Sequence, residues 1–211
     1  MTEVGGRAVV RGAGLVSPAG SSLDDVWSTV LAARGTAAEV ISFEAAGDLQ
    51  VLGCRANGFA PETRLVRHEL RRLDRTHQMA FWAADDALEQ AGRGPELDRC
   101  AIVVGLGIGA AEFTERQYRA LSGRGFRAVS PLTIPVVMPN SVAAHLSIRT
   151  GWTGPVTTLS SACASGAAAI GEALWLLRTG RADRVLAGGV DALLTSGVAA
   201  FFARMEAMSG R

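Results

Sequence analysis

The chain contains no lysine: all 21 of its basic residues are arginine. That removes Schiff-base catalysis and the lysine-bearing phosphate loop from consideration. Cysteine is scarce. Cys54, Cys100 and Cys163 are widely spaced and odd in number, which argues against a disulfide framework and a cysteine-rich zinc site, so each is expected to be a free thiol. A net charge of +1 gives no general attraction to nucleic acid or an anionic membrane surface. No run approaches the roughly 20 apolar residues needed to cross a bilayer, and the opening MTEVGGRAVV lacks the long apolar region of a secretory leader. A cytoplasmic protein is expected. His68, His77 and His145 are the only histidines, and helical histidines are usually surface or packing residues.

What is present is enough apolar material, 48% of 211 residues, for one ordinary α/β domain with a core. Strand-like runs at Ala8 to Gly12, Cys100 to Gly105, Val156 to Ser160 and Arg184 to Gly188 alternate with helical stretches, the order of a parallel sheet with crossover helices. Ser22 is placed to cap a helix through Leu31, with Asp24 and Asp25 in its first turn. Asp74 to Ala91 has helical periodicity and stops at Gly92. Three prolines make Pro131 to Pro139 a loop leading into a helix at Ser141 to Ile148.

The most informative stretch is Thr157 to Gly166, TTLSSACASG, where a β-branched run enters a cysteine framed by small residues and then an apolar helix. A strand that turns sharply into a helix puts its turn residue at the helix N-terminus, where free N–H groups and the positive dipole end favour an anion. Such an elbow suits a nucleophile, and its own N–H suits an oxyanion. A small cysteine buried between sheet and helix fits the local pattern equally well. From Ala164 to Leu177 only Ser165 and Glu172 are clearly polar, so nearly the whole circumference needs cover, and a single sheet covers one side. The helix is therefore expected to pack against a layer that another segment or chain supplies.

The stretch SACASGAAAIGEALWLLRTGRADRVLAGGVDA resembles the nucleophile region of the β-ketoacyl synthases, the condensing enzymes of fatty acid and polyketide synthesis. VVRGAGLVSPAG, RRLDRTHQMAFWAADDALEQAG, VVGLGIG and IPVVMPNSVAAHLSIRTGWTGP match in the same order, so the resemblance covers residues 1–211 and is closest to stand-alone type II enzymes. It implies an α/β, thiolase-like fold of two similar halves, of which this chain corresponds to the N-terminal one, with the nucleophile helix in a middle layer between two sheets. It implies dimers that pair strands like Val156 to Ser160 across a twofold axis. Cys163 is then the residue that takes an acyl group from the phosphopantetheine arm of an acyl carrier protein, before decarboxylative condensation with a malonyl thioester. The chain itself needs no bound cofactor. The family's two histidines and lysine for the second step belong to segments that do not occur here; the last strand of the first half is also missing, so a C-terminal half is expected from a longer chain or another polypeptide.

By the same resemblance Ile108 and Phe202 line the acyl pocket, and Arg67, Arg71 and Arg72 dock the acidic carrier. Arg64, Arg67, Arg71 and Arg75 recur every three or four residues, which on one helix makes a shared face; a solvated face balanced by Glu62, Glu69 and Asp74 is the plainer reading. Gly12-Ala13-Gly14 imitates a dinucleotide loop, but Pro18 and a helix starting only near Ser22 argue against pyrophosphate binding. Gly105, Gly107 and Gly109 are read as allowing close approach beside the site. Two further readings stand: a non-catalytic partner subunit like the chain-length factors, which usually carry glutamine at the Cys163 position, and an inactive remnant.

Overall fold

The computed structural model describes residues 7–37, 39–47, 49–92 and 97–209. The opening residues 1–6, read above for a leader, lie outside them. At the centre is β3 (Cys100–Gly105), buried along its whole length. It pairs in parallel with β4 (Val156–Leu159) on one side and β5 (Arg184–Gly189) on the other. Alternation along β3 sends its side chains to two different cores. Ile102 and Val104 enter a large cluster with Phe81, Leu88, Phe113, Val142 and Leu146. Ala101 and Val103 enter a smaller one with Ala169, Leu176 and Ala182. Burying each of the larger side chains contributes about 1.5–3 kcal/mol.

The large cluster is built by α3 (Arg75–Ala91), α4 (Ala111–Arg124) and α6 (Ser141–Thr150). Asp74 caps α3 by accepting from the Thr76 N–H at 2.7 Å, and its other oxygen accepts from the Phe113 N–H at 2.8 Å, tying the starts of α3 and α4 together. The helix ends at Gly92 in a positive-φ conformation, as the sequence suggests. The small cluster is covered by α7 (Ser165–Arg178), whose Ala169, Ala173 and Leu176 face the sheet. Ile170 and Trp175, on the other side of α7, are 61% and 60% exposed. One face of this apolar helix is thus covered and the other is open among the described residues. α1 (Leu23–Leu31) is capped by the Ser22 hydroxyl, and no helix of the described residues is long and apolar enough to cross a membrane.

Four points depart from the sequence reading. Ala8 to Gly12 forms no strand, and Ala8 to Arg11 are exposed; the chain meets α3 at Gly12 and Gly14, where an added Cβ would stand 2.2 Å from the Ala87 and 2.0 Å from the Ala83 carbonyl oxygen. The Gln90 amide serves the backbone of Ala13, accepting from its N–H and donating to its carbonyl. Second, an antiparallel hairpin of β1 (Glu39–Phe43) and β2 (Leu49–Gly53) was not anticipated. Third, Pro131 to Pro139 contains the short helix α5 (Thr133–Val137), because Pro135 falls in its first turn, where no intrahelical N–H bond is lost. Fourth, the arginines do not share one helix: α2 (Arg67–Arg72) holds Arg67, Arg71 and Arg72, and extended Leu73 separates it from α3. Arg64 pairs with Asp86 and lies over the Trp82 ring, while Arg75 lies over Phe59.

The α3–α6 contact carries a buried histidine. Ser141 donates its hydroxyl proton to the Pro135 carbonyl at 2.7 Å, so at 2.8 Å it accepts from His77 Nε2. His77 Nδ1 is buried without a partner, and the His145 ring stands edge-on 5.2 Å away. Burial, with His145 adding to it, pushes the His77 imidazole down to about 3. The unfolded chain takes up this proton near the ordinary value of about 6.5, so only the unfolded state gains it in between. This residue's contribution is therefore complete above about pH 6.5 and falls by about 1.4 kcal/mol per pH unit below it. Urea denaturation of the wild type and His77→Gln from pH 7.5 to 5 should show a shallower loss of stability in the variant; equal slopes would rule the mechanism out.

Candidate active site

The end of β4 and the start of α7 meet at a bend. Ala162 there has a φ of +51°, a left-handed conformation that costs a residue with a Cβ about 1–2 kcal/mol. Ser165 holds it. Its hydroxyl accepts from the Ser161 N–H at 2.9 Å and directs its proton toward the carbonyls of Ala162 (2.7 Å) and Leu106 (3.1 Å). The Ala164 and Ser165 N–H groups close back onto the carbonyls of Ser161 and Ala162. Cys163 sits on this bend with its free thiol exposed, whereas Cys100 is buried and Cys54 half-buried. The buried-cysteine alternative is removed. No side chain caps α7 at Ala164, which leaves first-turn amides for an incoming anion.

The helix comes this close because side chains are missing at the contact. A Cβ on Gly105 would lie 2.2 Å from the Ser165 carbonyl oxygen, and one on Gly189 would lie 2.7 Å from the Gly166 Cα. The C-terminal ends of β3 and β5 thus meet the first turn of α7 backbone to backbone. An open hollow of about 390 Å³ results, with Cys163, Ala162, Gly166, Ile170, Val190 and Asp191 in its lining.

Ile108 lies in the loop after β3, 56% exposed, and Phe202 lies on α8 (Ser196–Arg204), 38% exposed. Neither lines the hollow formed by the described residues. Arg67, Arg71 and Arg72 are exposed on α2, and none forms an ion pair within the described residues. The helix is fastened behind them by Arg149, which pairs with Asp85 and Glu69 at 2.6 Å each. The hydrogen bond to Asp85, with the charges of Asp85 and Glu69, raises the Arg149 guanidinium above its ordinary value despite burial. His68 is exposed and His77 is a packing residue.

Sequence reasoning missed two carboxylates near this end of the sheet. Asp191 accepts from the N–H groups of Gly107, Ile108 and Gly109. Glu115, on α4, accepts from the Thr195 and Ser196 hydroxyls and the Gly197 N–H, anchoring the start of α8. Burial pushes the Glu115 carboxyl up, but these bonds and Arg119 outweigh it and leave it below its ordinary value. Neither has a local signature, since each acts on backbone about 80 residues away.

The family model for "Beta-ketoacyl synthase, N-terminal domain" matches residues 6–211. The 3-oxoacyl-[acyl-carrier-protein] synthase 2 of Vibrio cholerae is 31% identical over 208 residues, 97% of this chain and 50% of that protein. A solved β-ketoacyl synthase from Burkholderia phymatum aligns with a TM-score of 0.78 at 26% identity, over 96% of this chain and 51% of its own. The ishigamide ketosynthase/chain length factor aligns with a TM-score of 0.77, also at 26% identity, over 96% and 57%. The chain spans about half the length of the curated relatives it matches.

The contact at Gly105 is testable. Gly105→Ala should lower the unfolding free energy by about 1–3 kcal/mol, because α7 must lift off the sheet. Gly188→Ala, which meets nothing within 4 Å, should change it by less than about 1 kcal/mol. Equal urea midpoints for the two variants would contradict the backbone contact.

Proposed function

The chain belongs to the β-ketoacyl synthases and corresponds to the N-terminal half of their thiolase-like α/β fold, and from that premise we propose that Cys163 is its acyl acceptor. The observation that carries the reading is an exposed thiol on a strained bend directly ahead of α7, whose first turn has no side-chain cap. In the transfer, the Cys163 sulfur attacks the carbonyl carbon of an acyl thioester borne on an acyl carrier protein. The new S–C bond forms, the bond to the phosphopantetheine sulfur breaks, and that thiol leaves with a proton. The developing oxyanion is assigned to the Cys163 N–H and to first-turn amides of α7 beyond Ser165, whose own N–H is bonded to the Ala162 carbonyl. The substrates arrive on the carrier's arm, so the chain supplies residues and no cofactor.

Condensation follows when a malonyl thioester loses carbon dioxide and its carbanion attacks the acyl carbon, releasing Cys163. Stabilising that enolate is assigned to two histidines of a C-terminal half, since His77 is buried against Ser141 and unsuited to reach substrate. Arg67, Arg71 and Arg72 are assigned to the acidic carrier, a role favoured by their exposure and lack of ion pairs within the described residues. Ile108 and Phe202 are assigned to the acyl chain, in a pocket that a further layer over α7 completes. Among the described residues β4 is an edge of its sheet, which suits pairing with a second synthase subunit, either a copy of this chain or a partner like that of the ketosynthase/chain length factor. The setting assigned is the cytoplasm.

Incubation with an acyl-loaded carrier protein, followed by intact-mass measurement, tests the assignment. The expected result is an added acyl mass that disappears in Cys163→Ala and persists in Cys54→Ser. A wild-type chain that keeps its fold and gains no mass would remove Cys163 from the role.

A further inference from the structure

Ser165 is the first residue of α7 and only 4% exposed, yet its side chain turns back toward the residues ahead of it. The hydroxyl accepts from the Ser161 N–H at 2.9 Å and has two acceptors for its own proton, the carbonyls of Ala162 at 2.7 Å and Leu106 at 3.1 Å. Leu106 also fixes the other limb of the bend, because its N–H donates to the carbonyl of Leu159, the last residue of β4, at 2.9 Å. The strand that enters the elbow and the helix that leaves it are thus tied to one residue of the loop after β3, one through its N–H and the other through its carbonyl. Cys163 lies between these ties, and none of them uses its side chain.

Ala162 needs such ties. At a φ of +51° it holds a conformation disfavoured for any residue with a Cβ, and strain of this kind persists only where the surroundings over-determine it. The Ala164 and Ser165 N–H groups bond carbonyls within the turn itself, those of Ser161 and Ala162. The Ser165 hydroxyl alone among these groups reaches both across the bend, to the Ser161 N–H, and outside it, to Leu106.

We propose that Ser165 is a positioning residue of the acyl-accepting site: by spanning the bend from Ser161 to Leu106 its hydroxyl keeps Ala162 left-handed, and through Ala162 it keeps the Cys163 sulfur at the first turn of α7. The inference rests on the reading of Cys163 as acyl acceptor and adds to it the group that sets its geometry. Ser165→Ala removes the hydroxyl and little volume. Adding Ala162→Gly to that variant supplies a residue that takes the left-handed conformation without a Cβ penalty. It therefore offsets the loss if Ser165 acts through the bend, and does nothing if Ser165 only fills space.

The test reads Cys163 in two ways. Iodoacetate and iodoacetamide alkylate the same thiolate with loss of iodide, so the thiolate fraction cancels from the ratio of their rates, measured by peptide mass. What remains reports how near the sulfur lies to the positive end of α7, which favours the anionic reagent. Acylation by an acyl carrier thioester is the second reading. The expected result is that Ser165→Ala lowers the iodoacetate-to-iodoacetamide ratio about threefold or more and the acylation rate about tenfold or more, and that Ala162→Gly in the same chain recovers most of both losses. A ratio that Ser165→Ala leaves unchanged overturns the proposal, and so does a loss that Ala162→Gly leaves in place, or undiminished acylation where the wild type is acylated. Should Ser165→Ala fail to fold, the double variant must fold and react nearly at the wild-type ratio; a double variant that fails to fold, or folds with the ratio lowered, overturns it as well. If the ratio behaves as expected but thioesters never acylate the wild type, the elbow role stands and the acyl-acceptor reading falls. If thioesters acylate Cys163 and the ratio does not move, the positioning role falls alone.

Discussion

The structure depends on one close contact, that of the first turn of α7 with the ends of β3 and β5. Gly105, Gly166 and Gly189 leave room for backbone to touch backbone. The bend before α7 is sharp because the helix must begin right at the sheet, and Ala162 takes up the strain of that bend. Cys163 is lifted out of the core as a consequence. The alanines at 101, 169 and 173 extend the same principle along the helix, keeping it low over the sheet. Ser165 then spends its hydroxyl on the bend itself, linking the elbow to the Leu106 carbonyl beyond β3.

Two faces of one helix meet different fates. Ala169, Ala173 and Leu176 are covered by β3 and its neighbours, whereas Ile170 and Trp175 are open among the described residues. Exposed apolar faces of this kind mark surfaces that meet another layer or partner. The open face, on a chain that spans about half the length of the curated relatives it matches, is where the proposed further layer would lie.

Much of this was legible in the sequence where the determinant is local. Ser22 and Asp74 act on amides two or three residues away, and Gly92 ends its own helix. The three central strands were readable as apolar or β-branched runs, and the elbow at Cys163 as a cluster of small residues between strand and helix. What escaped notice depends on distant partners. Ala8 to Gly12 has the composition of a strand, yet it pairs with no strand among the described residues and meets α3 only at its last residue. The four spaced arginines kept helical periodicity in the sequence, yet Leu73 adopts an extended backbone and divides them. Asp191 reaches a loop more than 80 residues earlier, and no pattern near residue 191 announces it. The role proposed for Cys163 comes from resemblance to a family; local pattern alone left a buried thiol equally open.

A crystal structure of the chain after reaction with an acyl thioester would test the central claim most directly. The account predicts electron density continuous from the Cys163 sulfur, the acyl carbonyl oxygen directed toward the first turn of α7, and Ala162 still in its left-handed conformation. Density on a different side chain, or a relaxed loop in place of the bend with the sulfur turned away from the hollow, would contradict it.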